Sequence, residues 1–250
     1  MITDPVFYAV AVPAVILLGL AKGGFSGLGV LAVPLMTLVA SPIEAASITL
    51  PILIVQDVVS VWVFRRAWDG RSLTVLLPSA SVGILAGYLF AARVSPAQVE
   101  LAIGIVAVVF SVRQLWVQFH GIIVPARKSS DVAGVLWGSV CGFTSQIAHA
   151  GGVPFQLYML PKRLERDVFI GTSALFFAAM NWLKVPAYFA LGQLTRPNLA
   201  TSVALFPVAV ASTIAGAWLI RRVSGPSFYT AMYLLLLVVG MKLIWSGTVG

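Results

Sequence analysis

A lysine lies within a run of glycines in an otherwise apolar part of the chain. The stretch from Gly19 to Pro34 reads GLAKGGFSGLGVLAVP. Unsatisfied backbone groups are costly in hydrocarbon, so a glycine-rich break at membrane depth is tolerated only where protein or a watery cavity surrounds it. The stretch therefore predicts a binding site, with the candidate residues Lys22, Gly23, Gly24, Phe25, Ser26 and Gly27.

A second break lies about halfway along the chain, where Gly138 to Pro154 reads GSVCGFTSQIAHAGGVP. Its Gly142-Phe143-Thr144 resembles Gly24-Phe25-Ser26, and a proline follows in both stretches. Helix N-termini and free glycine N–H groups, together with hydroxyls and a lysine, favour a small anion. The candidates here are Thr144, Ser145, Gln146, His149, Gly151 and Gly152. For His149 two interpretations stay open, a hydrogen-bonded core residue or a group that binds the anion or a proton near neutral pH.

The composition indicates a polytopic membrane protein. Of 250 residues, 60% are hydrophobic and 10% are charged, against roughly 25% charged in soluble domains. The net charge of +8 comes from Lys and Arg between apolar segments, where they set orientation in the bilayer, so no nucleic-acid partner is expected. The single cysteine, Cys141, excludes an internal disulfide and forms no metal or redox motif. No cofactor is expected, and because the chain has no phosphate-binding loop motif, an ion gradient or the membrane potential should supply any coupling.

Eight apolar regions predict an all-α fold. Two of them, Val6–Ala40 and Asp131–Leu160, are cut by glycines into arms of about 14 residues, or about 21 Å, which is too short to cross the hydrocarbon core. We predict each of these as a re-entrant hairpin. Because the first segment lacks the positive start of a signal peptide, it should be retained. Six regions have the length of ordinary crossings: Glu44–Phe64, Ser72–Ala92, Gln98–Phe119, Val168–Ala190, Asn198–Ile220 and Pro226–Trp245.

An internal duplication organises these segments. Pro78 to Ser95 aligns with Pro207 to Ser224 at one constant offset, which pairs Gly87 with Gly216. We predict one transmembrane domain over residues 1–250 with repeats at 5–120 and 131–246. Each repeat is a hairpin plus three crossings, and an odd number of crossings inverts the second copy. The positive-inside rule then places both termini outside. The basic cytoplasmic clusters are Arg65, Arg66 and Arg71; Arg127 and Lys128; Lys162, Arg163 and Arg166; and Arg221 and Arg222.

Polar residues within two crossings add candidates. Asn181 and Lys184 are three residues apart and so project from one helix face, and Gln56 and Asp57 occupy the matching place in the first half. Ionisable residues inside a membrane are costly and therefore functional candidates. Asp57 either pairs with Arg65 or Lys184 as a structural contact, or binds a proton and couples transport. Lys22 likewise either contacts the anion or extends to the interface.

Four motifs, AKGGFSGLGVLAVPL, AHAGG followed by a proline, GTSALFF and NWLKVPAY, resemble those of the sulfite exporter TauE/SafE family, and the resemblance covers nearly the whole chain. It implies a small protein of the bacterial plasma membrane that moves sulfite, sulfonates or related organosulfur anions. The expected function is secondary transport of sulfite, thiosulfate or an organosulfonate by alternating access, at a midplane site between the two hairpin tips. The alternatives are an anion channel and, less favoured, an intramembrane enzyme that uses His149.

Overall fold

The computed structural model describes residues 2, 4–25, 28–36, 38–90, 93, 95–120, 126, 130–147, 151–190, 192, 194–223 and 225–249. These residues form helices and connecting turns, and none of them lies in a strand. The fold is therefore all-α, as predicted. Two short 3-10 helices, Leu28–Leu31 and Leu160–Lys162, accompany the α-helices. The α-helices are α1 Pro5–Lys22, α2 Ala32–Met36, α3 Pro42–Phe64, α4 Gly70–Phe90, α5 Pro96–Phe119, α6 Asp131–Ile147, α7 Gly152–Met159, α8 Arg166–Ala190, α9 Arg196–Ile220 and α10 Gly225–Val249.

Seven helices in the described part of the chain are long and apolar enough to cross a membrane. Six of them match the predicted crossings, and the seventh is α1. Proline in the first turn and a capping side chain fix several helix starts. In α3, for example, the Ser41 hydroxyl accepts from the Glu44 N–H at 3.3 Å and Pro42 follows the cap.

The prediction of equal arms of about 14 residues is wrong. Helices α1 and α6 have 18 and 17 residues, whereas the helices that follow the breaks, α2 and α7, have 5 and 8. Helix α1 continues through Gly19 because one glycine inside a helix costs only about 1 kcal/mol. It ends at Gly23 and Gly24, where Gly24 has a φ of 137° that only glycine adopts readily. The re-entrant path and the inverted orientation stay predictions.

The chain forms two compact units, and each takes helices from both halves of the sequence. Unit 1 comprises Met1–Trp68 and Ile170–Val223, and unit 2 comprises Asp69–Phe169 and Ser224–Gly250. In unit 1, α9 packs against α1 and α3; in unit 2, α4 packs against α6 and α5 against α10. The units thus divide the chain differently from the predicted repeats 5–120 and 131–246, which remain a prediction.

Glycine contacts inside the two units support the duplication. A Cβ atom on Gly19 would lie 2.8 Å from the Thr213 nitrogen of α9, and one on Gly142 would lie 2.9 Å from the Ile84 nitrogen of α4. Thr213 and Ile84 are aligned by the same offset as the repeated segment in the sequence. Helix α1 therefore approaches α9 in unit 1 at the same register as α6 approaches α4 in unit 2.

The repeated glycines of α4 and α9 give the same alignment. A Cβ atom on Gly216 would lie 3.2 Å from the carbonyl oxygen of Leu20, and one on Gly87 would lie 3.2 Å from that of Phe143. These contacts align Leu20 with Phe143, and hence Gly19 with Gly142, whereas the motif comparison aligned Gly142 with Gly24. In the packing register Ser145 is the counterpart of Lys22.

Candidate functional site

A buried ion pair lies in unit 1 where α1 ends. The Lys22 ammonium forms a salt bridge and hydrogen bond with Oδ1 of Asp57 on α3. The Asn181 amide on α8 donates to Oδ2 of the same carboxylate at 2.7 Å. The side chains of Lys22 and Asp57 are only 13% and 2% exposed. Three helices of unit 1 thus converge on one carboxylate.

The break in α1 places Lys22 at this point. A Cβ atom on Gly23 would lie 2.6 Å from the Gly216 backbone of α9, so glycine permits the close approach of the two helices. The Ser60 hydroxyl of α3 donates to the Lys22 carbonyl at 2.7 Å and satisfies one of the carbonyls left free at the end of α1. The negative end of the helix dipole also favours a lysine in the last turn. The backbone and the side chain of Lys22 are therefore both held by α3.

A second lysine and an aromatic ring also belong to this cluster. Asn181 and Lys184 are both buried on α8, each 6% exposed. Lys184 interacts electrostatically with Asp57. The Lys22 ammonium also lies 5.4 Å from the centre of the Phe177 ring, within the range of a cation–π contact. In this cluster two lysines face one carboxylate.

The geometry bears on the interpretations left open by the sequence. Asp57 pairs with Lys22, which was not predicted, and it also interacts electrostatically with Lys184, one of its two predicted partners. The other predicted partner, Arg65, donates to the Trp62 carbonyl at 2.9 Å. Extension of Lys22 to the interface is wrong, because its ammonium is buried against a carboxylate.

Gln56 ties α3 to α1 beside this cluster. Its Nε2 donates to the Val15 carbonyl at 3.1 Å. Gln56 is fully buried, and its Oε1 has no hydrogen-bond partner among the residues described. Its proposed role in coupling rests on its position next to Asp57.

The second break lies in unit 2 between α6 and α7. Helix α7 begins at Gly152 with Gly151 as its cap, and Pro154 falls in the first turn. Cys141 is buried, and its thiol donates to the Gly151 carbonyl at 2.9 Å. A Cβ atom on Gly151 would lie 2.7 Å from the side chain of Ser145, so the start of α7 sits directly against α6.

The hydroxyl and amide candidates on α6 differ in their surroundings. Thr144 donates to the Val140 carbonyl of its own helix at 2.8 Å, which leaves its oxygen as an acceptor. Ser145 is buried, and Gln146 is half-buried against Gly87 of α4. Three further candidates, Ser26, Gly27 and His149, lie outside the described residues.

Sequence reasoning missed Ser60 and Phe177. Ser60 follows Asp57 by three residues and Phe177 precedes Asn181 by four, so each lies one turn from a residue that was predicted. Because residues three or four apart share a helix face, a search one turn either side of Asp57 and Asn181 would have found both. Gln156 was also missed, although it lies one turn after the predicted Gly152.

Comparison with known proteins agrees with the motifs. The family model described as Sulfite exporter TauE/SafE matches residues 11–243. No curated protein matches the chain, and no solved structure matches it. The family match covers both breaks and the cluster residues Lys22, Asp57 and Asn181.

Proposed function

Because the chain belongs to the sulfite exporter TauE/SafE family, whose members are membrane transporters of sulfite-type anions, we propose that it is a secondary transporter in the plasma membrane. The substrate class is a small sulfur-containing anion: sulfite, thiosulfate or an organosulfonate. Transport proceeds by alternating access, so the site opens to one side of the membrane at a time.

The cluster of Lys22, Asp57 and Asn181 is the observation that carries this proposal. A buried ion pair seldom increases stability over an apolar pair, because desolvation offsets the attraction. Its presence on three helices at a glycine break therefore favours a functional role. An oxyanion that competes with Asp57 for Lys22 would receive charge-assisted hydrogen bonds, which are about twice as strong as neutral ones.

Proton coupling follows from the same geometry. Asp57 is the counter-ion of Lys22. Proton binding to Asp57 removes the negative charge that would repel an anion and frees the Lys22 ammonium to bind it. Proton and anion then bind with positive cooperativity, and each increases the affinity for the other by the same factor. Asn181 and Lys184 stay in place as a hydrogen-bond donor and a second positive charge.

Each unit has its own glycine break, and each break is a proposed anion contact within its unit. In unit 1 the N–H groups of Gly23, Gly24 and Phe25 donate to carbonyls of α1, so the contact there is the Lys22 ammonium. In unit 2 the contacts are the first turn of α7 at Gly151 and Gly152 and the neighbouring residues of α6. Free N–H groups in the first turn of α7 would replace the water that an oxyanion loses on binding.

Counterflow in proteoliposomes tests the function. Vesicles preloaded with unlabelled sulfite should take up external ³⁵S-sulfite transiently and saturably, and faster than empty vesicles. A carrier gives this acceleration because the loaded site returns faster than the empty one. Equal rates in loaded and empty vesicles would indicate a channel instead. Conversion of the anion by purified protein in detergent would indicate an enzyme.

A further inference from the structure

Gln156 in the middle of α7 has no partner for its side-chain amide. The residue is fully buried, and neither Oε1 nor Nε2 has a hydrogen-bond partner among the described residues. An unpartnered buried amide destabilises a protein, and methionine would fill the same volume without that cost. The described residues supply no partner for this amide, so a ligand is a candidate for that role.

The face of α7 that carries Gln156 leads to an open space. Gly152 precedes Gln156 by one turn on the same face, and helical side chains lean towards the N-terminus of their helix. No described atom lies within 4 Å of the position that a Cβ atom on Gly152 would occupy. Gly152 is half-buried, whereas its neighbours Gly151 and Val153 are buried. Gln156 and Gly152 thus share a face of α7, and that face borders a partly accessible space at Gly152.

The first turn of α7 also offers hydrogen-bond donors to this space. The initial N–H groups of a helix have no partner within the helix. In α7 they include those of Gly152 and Val153, since Pro154 has none. The positive end of the helix dipole favours an anion at the same place.

We infer that Gln156 and the first turn of α7 form an oxyanion-binding site in unit 2. Nε2 of Gln156 donates to one oxygen of the anion, the N–H groups of Gly152 and Val153 donate to another, and Oε1 accepts from a water or a hydroxyl of the ligand. This inference rests on the proposed function and adds to it a residue that determines affinity for the substrate.

The test compares Gln156→Met with Gln118→Met. Gln118 lies in the exposed part of α5, where its amide donates to the Thr230 hydroxyl at 2.6 Å, so the same chemical change is made away from α7. Binding of sulfite, thiosulfate and methanesulfonate is measured by calorimetry, and the melting temperature of the purified protein is measured without ligand.

We expect Gln156→Met to melt at or above the temperature of the wild type and to bind the anion at least tenfold more weakly. Gln118→Met should bind it normally. Stability and affinity then change in opposite directions, which a purely structural glutamine would not produce. If Gln156→Met does not fold, Gly152→Ala replaces it, because the added methyl group enters the open space and should weaken binding at least tenfold.

Two results overturn the inference, and they are distinguishable. Unchanged affinity in Gln156→Met, or in Gly152→Ala where the first variant does not fold, refutes the site in unit 2 and leaves the proposed function intact. A wild-type protein that neither binds nor transports any of the three anions refutes the proposed function and the site together.

Discussion

Replacement of Lys22 should destabilise the protein by leaving a buried carboxylate without its ion-pair partner. In Lys22→Gln, Asp57 keeps the hydrogen bond from Asn181 and the attraction of Lys184. Removal of one member of a buried pair costs about 3–5 kcal/mol. Because two compensating groups remain, we expect a loss at the lower end, about 3 kcal/mol.

A second substitution separates charge from packing. The double variant Lys22→Gln/Asp57→Asn has no buried charge at either position, and an amide oxygen at position 57 can still accept from Asn181. We expect its free energy of unfolding to lie within about 1 kcal/mol of the wild type, since neutral replacements of buried pairs are often tolerated. The coupling energy between the two sites should then exceed about 2 kcal/mol, within the range for residues in contact.

Denaturant unfolding in detergent and anion binding are measured on the wild type, Lys22→Gln, Asp57→Asn and the double variant. Together they show whether Lys22 stabilises the fold, contacts the anion, or does both. If Lys22 contacts the anion, the double variant recovers stability but stays at least tenfold weaker in binding, about 1.4 kcal/mol. Recovery of both properties would show that Lys22 acts only as the counter-ion of Asp57. Additive losses of stability would refute the ion pair itself.

Three further predictions concern packing, topology and coupling. Gly142→Ala should destabilise unit 2 by about 1–3 kcal/mol, because its methyl group would press on the backbone of α4. The control variant Gly152→Ala should leave thermal stability unchanged. Equal melting temperatures for both variants would contradict the packing register. Cysteines introduced at Ser130 and Glu165 in a cysteine-free background should react with an impermeant reagent from the same side of the membrane, and labelling from opposite sides would eliminate the re-entrant hairpin. Anion flux in proteoliposomes should follow an imposed pH gradient in the wild type and lose that dependence in Asp57→Asn; a variant that keeps the full dependence would exclude Asp57 from coupling.

The crossings could be predicted from the sequence because hydrophobicity is a local property. The predicted segment Glu44–Phe64 lies within α3, Pro42–Phe64, and Val168–Ala190 lies within α8, Arg166–Ala190. The arms of the broken regions were less predictable. Glycine marks a weak point in a helix without deciding whether the helix ends there. Gly19 is tolerated inside α1, although α9 approaches it closely. The helix ends at Gly23 and Gly24, and of these three glycines only Gly24 has a positive φ.

The types of residue in the site could be predicted from the sequence, but not which lysine or arginine pairs with Asp57. A lysine in an apolar segment needs a counter-charge, and the sequence contains a mid-helix carboxylate at Asp57 with several cations that could pair with it. Which cation pairs with Asp57 depends on the position of α1 along α3. The contact of Gly23 with α9 and the hydrogen bond from Ser60 to the Lys22 carbonyl determine that position. The missing partner of Gln156 is likewise a property of its neighbours in space. A polar side chain read along the sequence shows only that it needs a partner, and the fold decides whether the chain provides it or leaves the place to a ligand.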